Sequence, residues 1–230
     1  MKNVFTFLLL LFSLLCNGQS PKLFTTDKEL SSSLINQIYQ DRNGFIWIAT
    51  EDGLNRYDGA KFTIYKHEPN NEHSLAHNFV RTVFEDSKGH LLIGTYIGIQ
   101  MYDPATDNFT PLAKLEDTGE TLESNINSFI ERKNGEIWVS GNVLCKLDIK
   151  DHLLTVRKVD IAVTSPGSLF EDKKQNVWMA KGEEGVYQLT PDNQLTLHLS
   201  KDNGYVKSIC EDQRGNIYVG SIRKGLFKIG

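Results

Sequence analysis

Beyond residue 20 the apolar residues never settle into the 3.6-residue spacing of an amphipathic helix. They come in runs of four to six, alternating or wholly apolar, separated by short polar turns. The first group predicts strands over Asn36 to Gln40, Phe45 to Thr50, Leu54 to Asp58 and Lys61 to Tyr65, with Asn43-Gly44, Asp52-Gly53 and Asp58-Gly59 at the corners. That is a four-stranded antiparallel meander. Ahead of it, Lys2 precedes an apolar run from Val4 to Cys16, which is followed by Asn17-Gly18-Gln19-Ser20. The run is shorter than the roughly 18 to 20 residues that a spanning helix needs, and its flanks are those of a secretory signal. Residues 1–18 are therefore expected to be removed, with export of the mature chain. Acylation at Cys16 is disfavoured by the bulky Leu15 where such processing needs a small side chain. Residues 19–30 are expected to form a lead-in strand.

One pattern then recurs, Asp-x-x-Gly-x-(Ile/Leu)-aromatic, beginning at Asp41, Asp86, Arg132, Asp172 and Asp212. The starts are 45, 46, 40 and 40 residues apart, a period that belongs to the blades of a β-propeller. The turn explains the column: Asp at the first position accepts hydrogen bonds from turn amides, and Gly at the fourth takes a positive φ cheaply. The aromatic residue three positions on is placed mid-sheet, where it packs one blade on the next. The expected fold is all-β, five four-stranded repeats forming an incomplete propeller over 31–230, with units at about 31–75, 76–122, 123–162, 163–203 and 204–230. The fifth copy stops after its third strand, Gly225 to Gly230, and an open arc is favoured over ring closure by the lead-in.

Composition narrows the functions. A chain that is 40% hydrophobic and 23% charged is globular, and a net charge of −4 supplies no broad basic surface for nucleic acid. Outside Cys16, only Cys145 and Cys210 remain, too few for a disulfide-built scaffold; both read as small buried hydrophobes. His67, His73, His77, His90, His152 and His198 are scattered, so no metal or other cofactor is expected. No phosphate-cradling loop or nucleophile elbow is present.

Phe45-Ile46-Trp47-Ile48-Ala49-Thr50-Glu51-Asp52-Gly53-Leu54-Asn55-Arg56-Tyr57-Asp58-Gly59 closely resembles the blade signature of two-component regulator propellers, and Leu92 to Asp103 repeats it. The resemblance spans about residues 31 to 230. It is strongest in copies one, two and five; copy three carries Gly141-Asn142-Val143-Leu144 in place of the Thr-x-x-Gly-Leu element, and copy four has Lys181 for Thr and Gln175 for Gly. It implies a periplasmic sensor region of a hybrid two-component system, detecting glycan fragments and signalling to a membrane-anchored histidine kinase that does not lie within these 230 residues. The chain itself is then a binding module and not an enzyme. The rival readings are a propeller glycosidase or lyase, for which only Arg81 and Arg223 stand where a carboxylate-binding arginine is needed, and a protein-interaction scaffold.

In a propeller the second-to-third-strand turns and the fourth-to-first connections share one face, opposite the Asp-x-x-Gly turns. That face carries Glu51 and Asp52, Tyr96 and Ile97, Glu183 and Glu184, and Arg223 and Lys224. Five residues before each repeated Asp stands a column of Asn36, Arg81, Asn127, Gly167 and Lys207, polar in four copies of five. Directional donors at a channel mouth suit sugar hydroxyls, and Arg and Lys suit carboxylate or sulfate. The ligand-binding set expected is Asn36, Arg81, Asn127, Lys207, Glu51, Asp52, Tyr96 and Arg223, with no catalytic residue. The partner expected is an oligosaccharide, with no nucleic acid and no membrane span in the mature chain; a homodimer is left open.

Overall fold

The computed structural model describes residues 21–27, 29–163 and 165–230; the expected signal peptide lies outside the described residues. The only helical element among them is a single 3-10 turn at Lys201–Asn203. Everything else regular is strand, in five sheets that follow one another along the chain and are antiparallel but for one short parallel pair.

Blade 1 is β1 (Ile35–Gln40), β2 (Ile46–Thr50), β3 (Gly53–Tyr57) and β4 (Phe62–Tyr65), within a residue or two of the pattern-based assignment. Blade 2 is β5 (Val80–Glu85), β6 (Leu91–Thr95), β7 (Ile99–Asp103) and the two-residue β8 (Asn108–Phe109). A short strand β9 (Lys114–Leu115) in the next connection pairs parallel to the outer strand of blade 3, which is β10 (Ser128–Glu131), β11 (Ile137–Ser140), β12 (Leu144–Lys150) and β13 (Leu153–Lys158). Blade 3 therefore has five strands where four were expected. Blade 4 is β14 (Ser168–Glu171), β15 (Val177–Lys181), β16 (Gly185–Leu189) and β17 (Leu195–Leu199), and blade 5 is β18 (Tyr205–Glu211), β19 (Ile217–Ile222) and β20 (Gly225–Ile229).

The cores lie between successive sheets. Trp47, Ala49 and Leu54 of blade 1 meet Val80, Val83, Leu91 and Ile93 of blade 2. Leu92, Ile99 and Met101 meet Phe129, Ile137, Val139 and Leu147 of blade 3. Trp138 and Leu144 meet Leu169, Val177 and Met179 of blade 4, and Trp178, Ala180 and Val186 meet Val206, Ile217 and Val219 of blade 5. The repeated aromatic thus does pack one blade on the next. A strand buried on both faces carries apolar residues at consecutive positions, which is why β2, β6 and β15 do not alternate.

The Asp-x-x-Gly turns behave as their chemistry dictates. Asp41 accepts the amides of Asn43 and Phe45 on one oxygen and the Trp47 indole N–H on the other, at 2.9, 3.0 and 2.8 Å. Asp172 repeats all three bonds, from Lys174, Asn176 and Trp178. Gly44 sits at φ +89, where an L side chain is strained. Copy three loses the Asp, and Glu136 takes over the indole of Trp138 while the Arg132 guanidinium lies over its ring, 4.7 Å from the centroid.

Two expectations need correction. The lead-in forms no strand among its described residues: they turn at Thr25, whose carbonyl accepts the amides of Glu29 and Leu30, and Phe24 packs edge-on against Phe62 and tilted against Tyr57 of blade 1. Aromatic burial on the nearest blade replaces the edge pairing. The expected lack of closure by the lead-in holds among the described residues, where no ladder joins blade 5 to blade 1. Cys145 is buried, its thiol pushed up to about 11 by burial, but Cys210 is exposed because no sheet covers its side of blade 5.

Candidate functional site

The face opposite the Asp turns is built by a second recurring turn. Thr50 at the end of β2 donates to the carbonyl of Gly53 and accepts the amide of Asp52, and Thr95 repeats this with Gly98 and Ile97. Both hydroxyls are wholly buried. A Cβ at Gly53 would meet the Tyr65 carbonyl at 2.9 Å, so glycine is required there. These turns hold the incoming connections in place: Glu51 donates its amide to Leu34, Gly53 to Asn78, Tyr96 to Phe79 and Ile126 to Thr95.

The β6–β7 turn projects Tyr96 into solvent, 55% exposed. Its ring lies 5.6 Å from that of His77 and 6.1 Å from that of Phe79, and the Arg81 guanidinium stands 5.7 Å over Phe79. The amide of Phe79 donates to His77 Nδ1 at 2.9 Å, which places the neutral ring's proton on Nε2. The result is an aromatic shelf with a guanidinium beside it. Aromatic faces accept the apolar face of a pyranose, and a guanidinium with donors to spare grips carboxylate or sulfate.

The polar column proves to be a seam between blades. Asn36 donates to the Val80 carbonyl at 2.7 Å, Arg81 to Asn127 at 2.6 Å, and Asn127 to the Pro166 carbonyl at 3.1 Å. Asn36, Arg81 and Lys207 each sit where the register of the inner strand slips by one residue, a bulge that re-aims the side chain. Asn36, Arg81 and Asn127 are thus brought into one line, whereas exposed Lys207 lies on blade 5 with Arg223, away from Tyr96. Asp52 pairs with Lys66 at 2.6 Å and accepts from Asn78, tying down the 66–78 connection; Glu51 is exposed. His77 and Phe79 were not in the ligand-binding set expected from the sequence, although an aromatic two residues before the polar column, Phe79 in copy two and Tyr205 in copy five, was visible there.

A second concavity of about 990 Å³ opens on the flank between the 66–76 connection and the outer hairpin of blade 3. Ile97, Leu112 and Leu154 line it, with His67, Lys114 and His152 at its margin. His67 and His73 each hold a backbone carbonyl, of Leu75 and Phe109, through Nδ1. No group of three or more His, Cys, Asp or Glu among the described residues could hold a metal ion.

The family model for the two component regulator propeller matches residues 29–52, 74–96 and 200–223. These are the first two strands of blades 1, 2 and 5, the copies that keep the Asp, the Gly and a hydroxyl at the end of the second strand. A curated relative, histidine kinase P4 of Formosa agariphila, is 37% identical over 83 residues, which is 33% of this chain and 6% of that one. Among solved structures, the extracellular domain of a hybrid two component system from B. thetaiotaomicron superposes with a TM-score of 0.74 at 20% identity, over 93% of this chain and 32% of that one. Virginiamycin B lyase from Staphylococcus aureus superposes with a TM-score of 0.63 at 13% identity, over 92% and 73%. At such identities the likeness shows the fold alone. The chain spans about a third of the extracellular domain it matches.

Proposed function

Given that this chain carries two-component regulator propeller repeats, we propose that it is the N-terminal part of a periplasmic sensor propeller that binds an oligosaccharide, with an anionic one preferred, and passes the signal to a histidine kinase region. Residues 1–18 direct export and 31–230 form the sensing arc. The observation that carries the ligand assignment is the shelf of Tyr96, His77 and Phe79 beside Arg81 on the face away from the Asp turns. The Formosa relative's name and the source of the B. thetaiotaomicron domain support the signalling role.

Within the expected ligand-binding set the roles divide. Tyr96 stacks on a sugar ring, Arg81 holds a carboxylate or sulfate with the donors that Asn127 leaves free, and Asn36 and Asn127 position the seam and meet hydroxyls. Glu51 and Asp52 border the shelf, and Lys207 and Arg223 contact only a chain long enough to reach blade 5. Calorimetric titration with neutral and uronic or sulfated oligosaccharides tests this. Tyr96→Ala and Arg81→Ala are each expected to weaken binding roughly ten- to a hundred-fold, the size of one lost charge-assisted or stacking contact. Leu112→Arg, in the flank cleft, is expected to leave it unchanged. Affinity that survives Tyr96→Ala and falls with Leu112→Arg moves the site to the cleft and overturns the assignment.

A further inference from the structure

The flank concavity of about 990 Å³ has two walls tied together by one buried side chain. Gln100 of β7 is 1% exposed. Its Oε1 accepts the Ala76 amide at 2.6 Å, and its Nε2 donates to the carbonyls of Ser74 at 3.0 Å and Thr110 at 2.8 Å. The first two bonds fix the 66–76 connection, and the third fixes the chain as it enters Pro111 and Leu112. Two more bonds stiffen the first wall: His67 Nδ1 donates to the Leu75 carbonyl at 2.9 Å, and the Ser74 hydroxyl to the Asn71 carbonyl at 2.8 Å. Ligand sites are mostly pre-formed cavities of about 300–1,000 Å³. Here the fold's own hydrogen bonds hold the walls in place before anything binds.

The lining separates the ligand classes. Among the described residues no Trp, Tyr or Phe borders the cleft, so it offers no aromatic platform for a pyranose. Its apolar lining is aliphatic, with Ile97, Pro111, Leu112 and Leu154, and Leu153 joins them at 66% exposed. The two carboxylates of the lining have companions: Glu68 accepts the Asn71 side-chain amide at 2.8 Å, and Glu72 stands 4.0 Å from the His73 ring. The hairpin side is different. Lys114 is exposed, and among the described residues its ammonium makes no ion pair and no hydrogen bond; nor does the ring of His152 make one. The acid on that side, Asp103, is already capped by the Ala105 amide and the Thr106 hydroxyl. His152 is held at the β12–β13 corner with φ +63, a left-handed backbone that a histidine adopts at some cost.

We propose that this flank cleft is a second ligand site, separate from the Tyr96 shelf, and that it takes a small amphipathic monocarboxylate. The aliphatic body lies on Ile97, Leu112 and Leu154, and the carboxylate meets Lys114 and His152. Apolar burial supplies the affinity, and the unpaired ammonium selects an anion over a neutral or cationic analogue. The cleft backs onto the shelf through neighbouring residues, Ala76 beside His77 and Ile97 beside Tyr96, and shares no side chain with it. Its occupancy is therefore independent of whether an oligosaccharide binds at Tyr96.

Calorimetric titration of the chain with hexanoate, octanoate, octanamide and octylammonium tests this. Octanoate is expected to bind roughly tenfold more tightly than hexanoate, the worth of two buried methylenes. It is expected to bind about ten- to a hundredfold more tightly than octanamide, the worth of one charge-assisted bond, and octylammonium most weakly of all. Lys114→Glu is expected to abolish the preference for octanoate over octanamide, and Lys114→Gln, which keeps a polar stem, to do the same. Leu153→Asp is expected to weaken octanoate by a similar factor, and Tyr96→Ala to change nothing. Lys114 and Leu153 are both exposed, so an unchanged circular dichroism melt is expected for these variants. The inference is overturned if octanoate does not bind, or if octanamide or octylammonium binds as tightly. Octanoate binding that survives both Lys114→Glu and Leu153→Asp gives it to another apolar surface, and binding that falls with Tyr96→Ala gives it to the shelf; either result also overturns the inference.

Discussion

The joint between blades 1 and 2 and the joint between blades 4 and 5 share one turn chemistry and differ in what covers it. At the first, Trp47, Tyr65, Tyr102 and Phe109 interlock with ring centroids 4.9 to 6.0 Å apart. Arg56 lies over four rings and bonds to Asp107, which also accepts the hydroxyls of Tyr65 and Tyr102 at 2.6 Å. Burial opposes ionisation of Asp107, yet those hydroxyls and the guanidinium hold its carboxyl below the usual range. The His73 carbonyl accepts the Phe109 amide and seals the outer edge. At the second joint Trp178 lies tilted against His198, its single aromatic neighbour among the described residues, and the described part of blade 5 has three strands. Local turns make a blade; the outer strand and its covering loop make the joint strong.

Emptying each joint in turn separates them most strongly. Trp47→Ala is expected to cost about 3–5 kcal/mol in chemical denaturation, the usual cost of deleting a buried aromatic. Trp178→Ala is expected to cost less, because blade 5 has room to relax into the gap. Equal costs would show that the bare outer edge does not matter. Removing the turn carboxylates comes next: Asp41→Ala, which strands two amides and an indole N–H, is expected to cost about 1–3 kcal/mol. Asp212→Ala, whose turn faces solvent, should cost less.

Acid unfolding probes the one turn built differently. Lys146 chiefly, with Trp138 and Asn134, holds Glu136 down to about 2 from an ordinary value near 4.5. A depressed folded pKa contributes stability that is present above the unfolded value and lost as pH falls through the folded one. Glu136→Gln is therefore expected to flatten the stability profile between about pH 4.5 and 2, an effect trimmed by the partial exposure of this pair. A profile unchanged in that window would show that the pairing of Glu136 with Lys146 and Trp138 does not stabilise the turn of copy three. The smallest effect is kinetic: a thiol reagent should modify Cys210 quickly and Cys145 only on unfolding, and Cys210→Ser should abolish the fast phase.

Much of this was legible in the chain because it is local. Asp41 to Trp47 closes its turn within seven residues, so spacing alone reveals both the cap and the packing aromatic. The family match falls on copies one, two and five for the same reason: Arg132 and Gln175 replace local turn residues in the other two. What was not legible is non-local. Nothing within residues 19–30 says that Phe24 will find Tyr57 and Phe62, nor that Lys114-Leu115 will pair with β13. Cys210 reads as a core residue until one knows that no sheet faces it. The polar column was visible, but its partners on adjacent blades were not, and those partners turn Asn36 and Asn127 toward the seam. A glutamate column lay in plain view as Glu85, Glu131, Glu171 and Glu211, and needed the inter-blade geometry to acquire a meaning: each accepts a turn amide of the preceding blade.

In the proposed sensor, ligand is received on the Tyr96 face, away from the Asp turns. Hydrogen exchange of the chain with and without a saturating uronic or sulfated oligosaccharide tests it most directly. Slowed exchange at Phe79 to Arg81 and at Tyr96 to Gly98, with the turns at residues 41–44 and 86–89 unchanged, is the result this account predicts. Slowing confined to the Asp turns, or no slowing anywhere at concentrations where calorimetry detects binding to the chain, would contradict it.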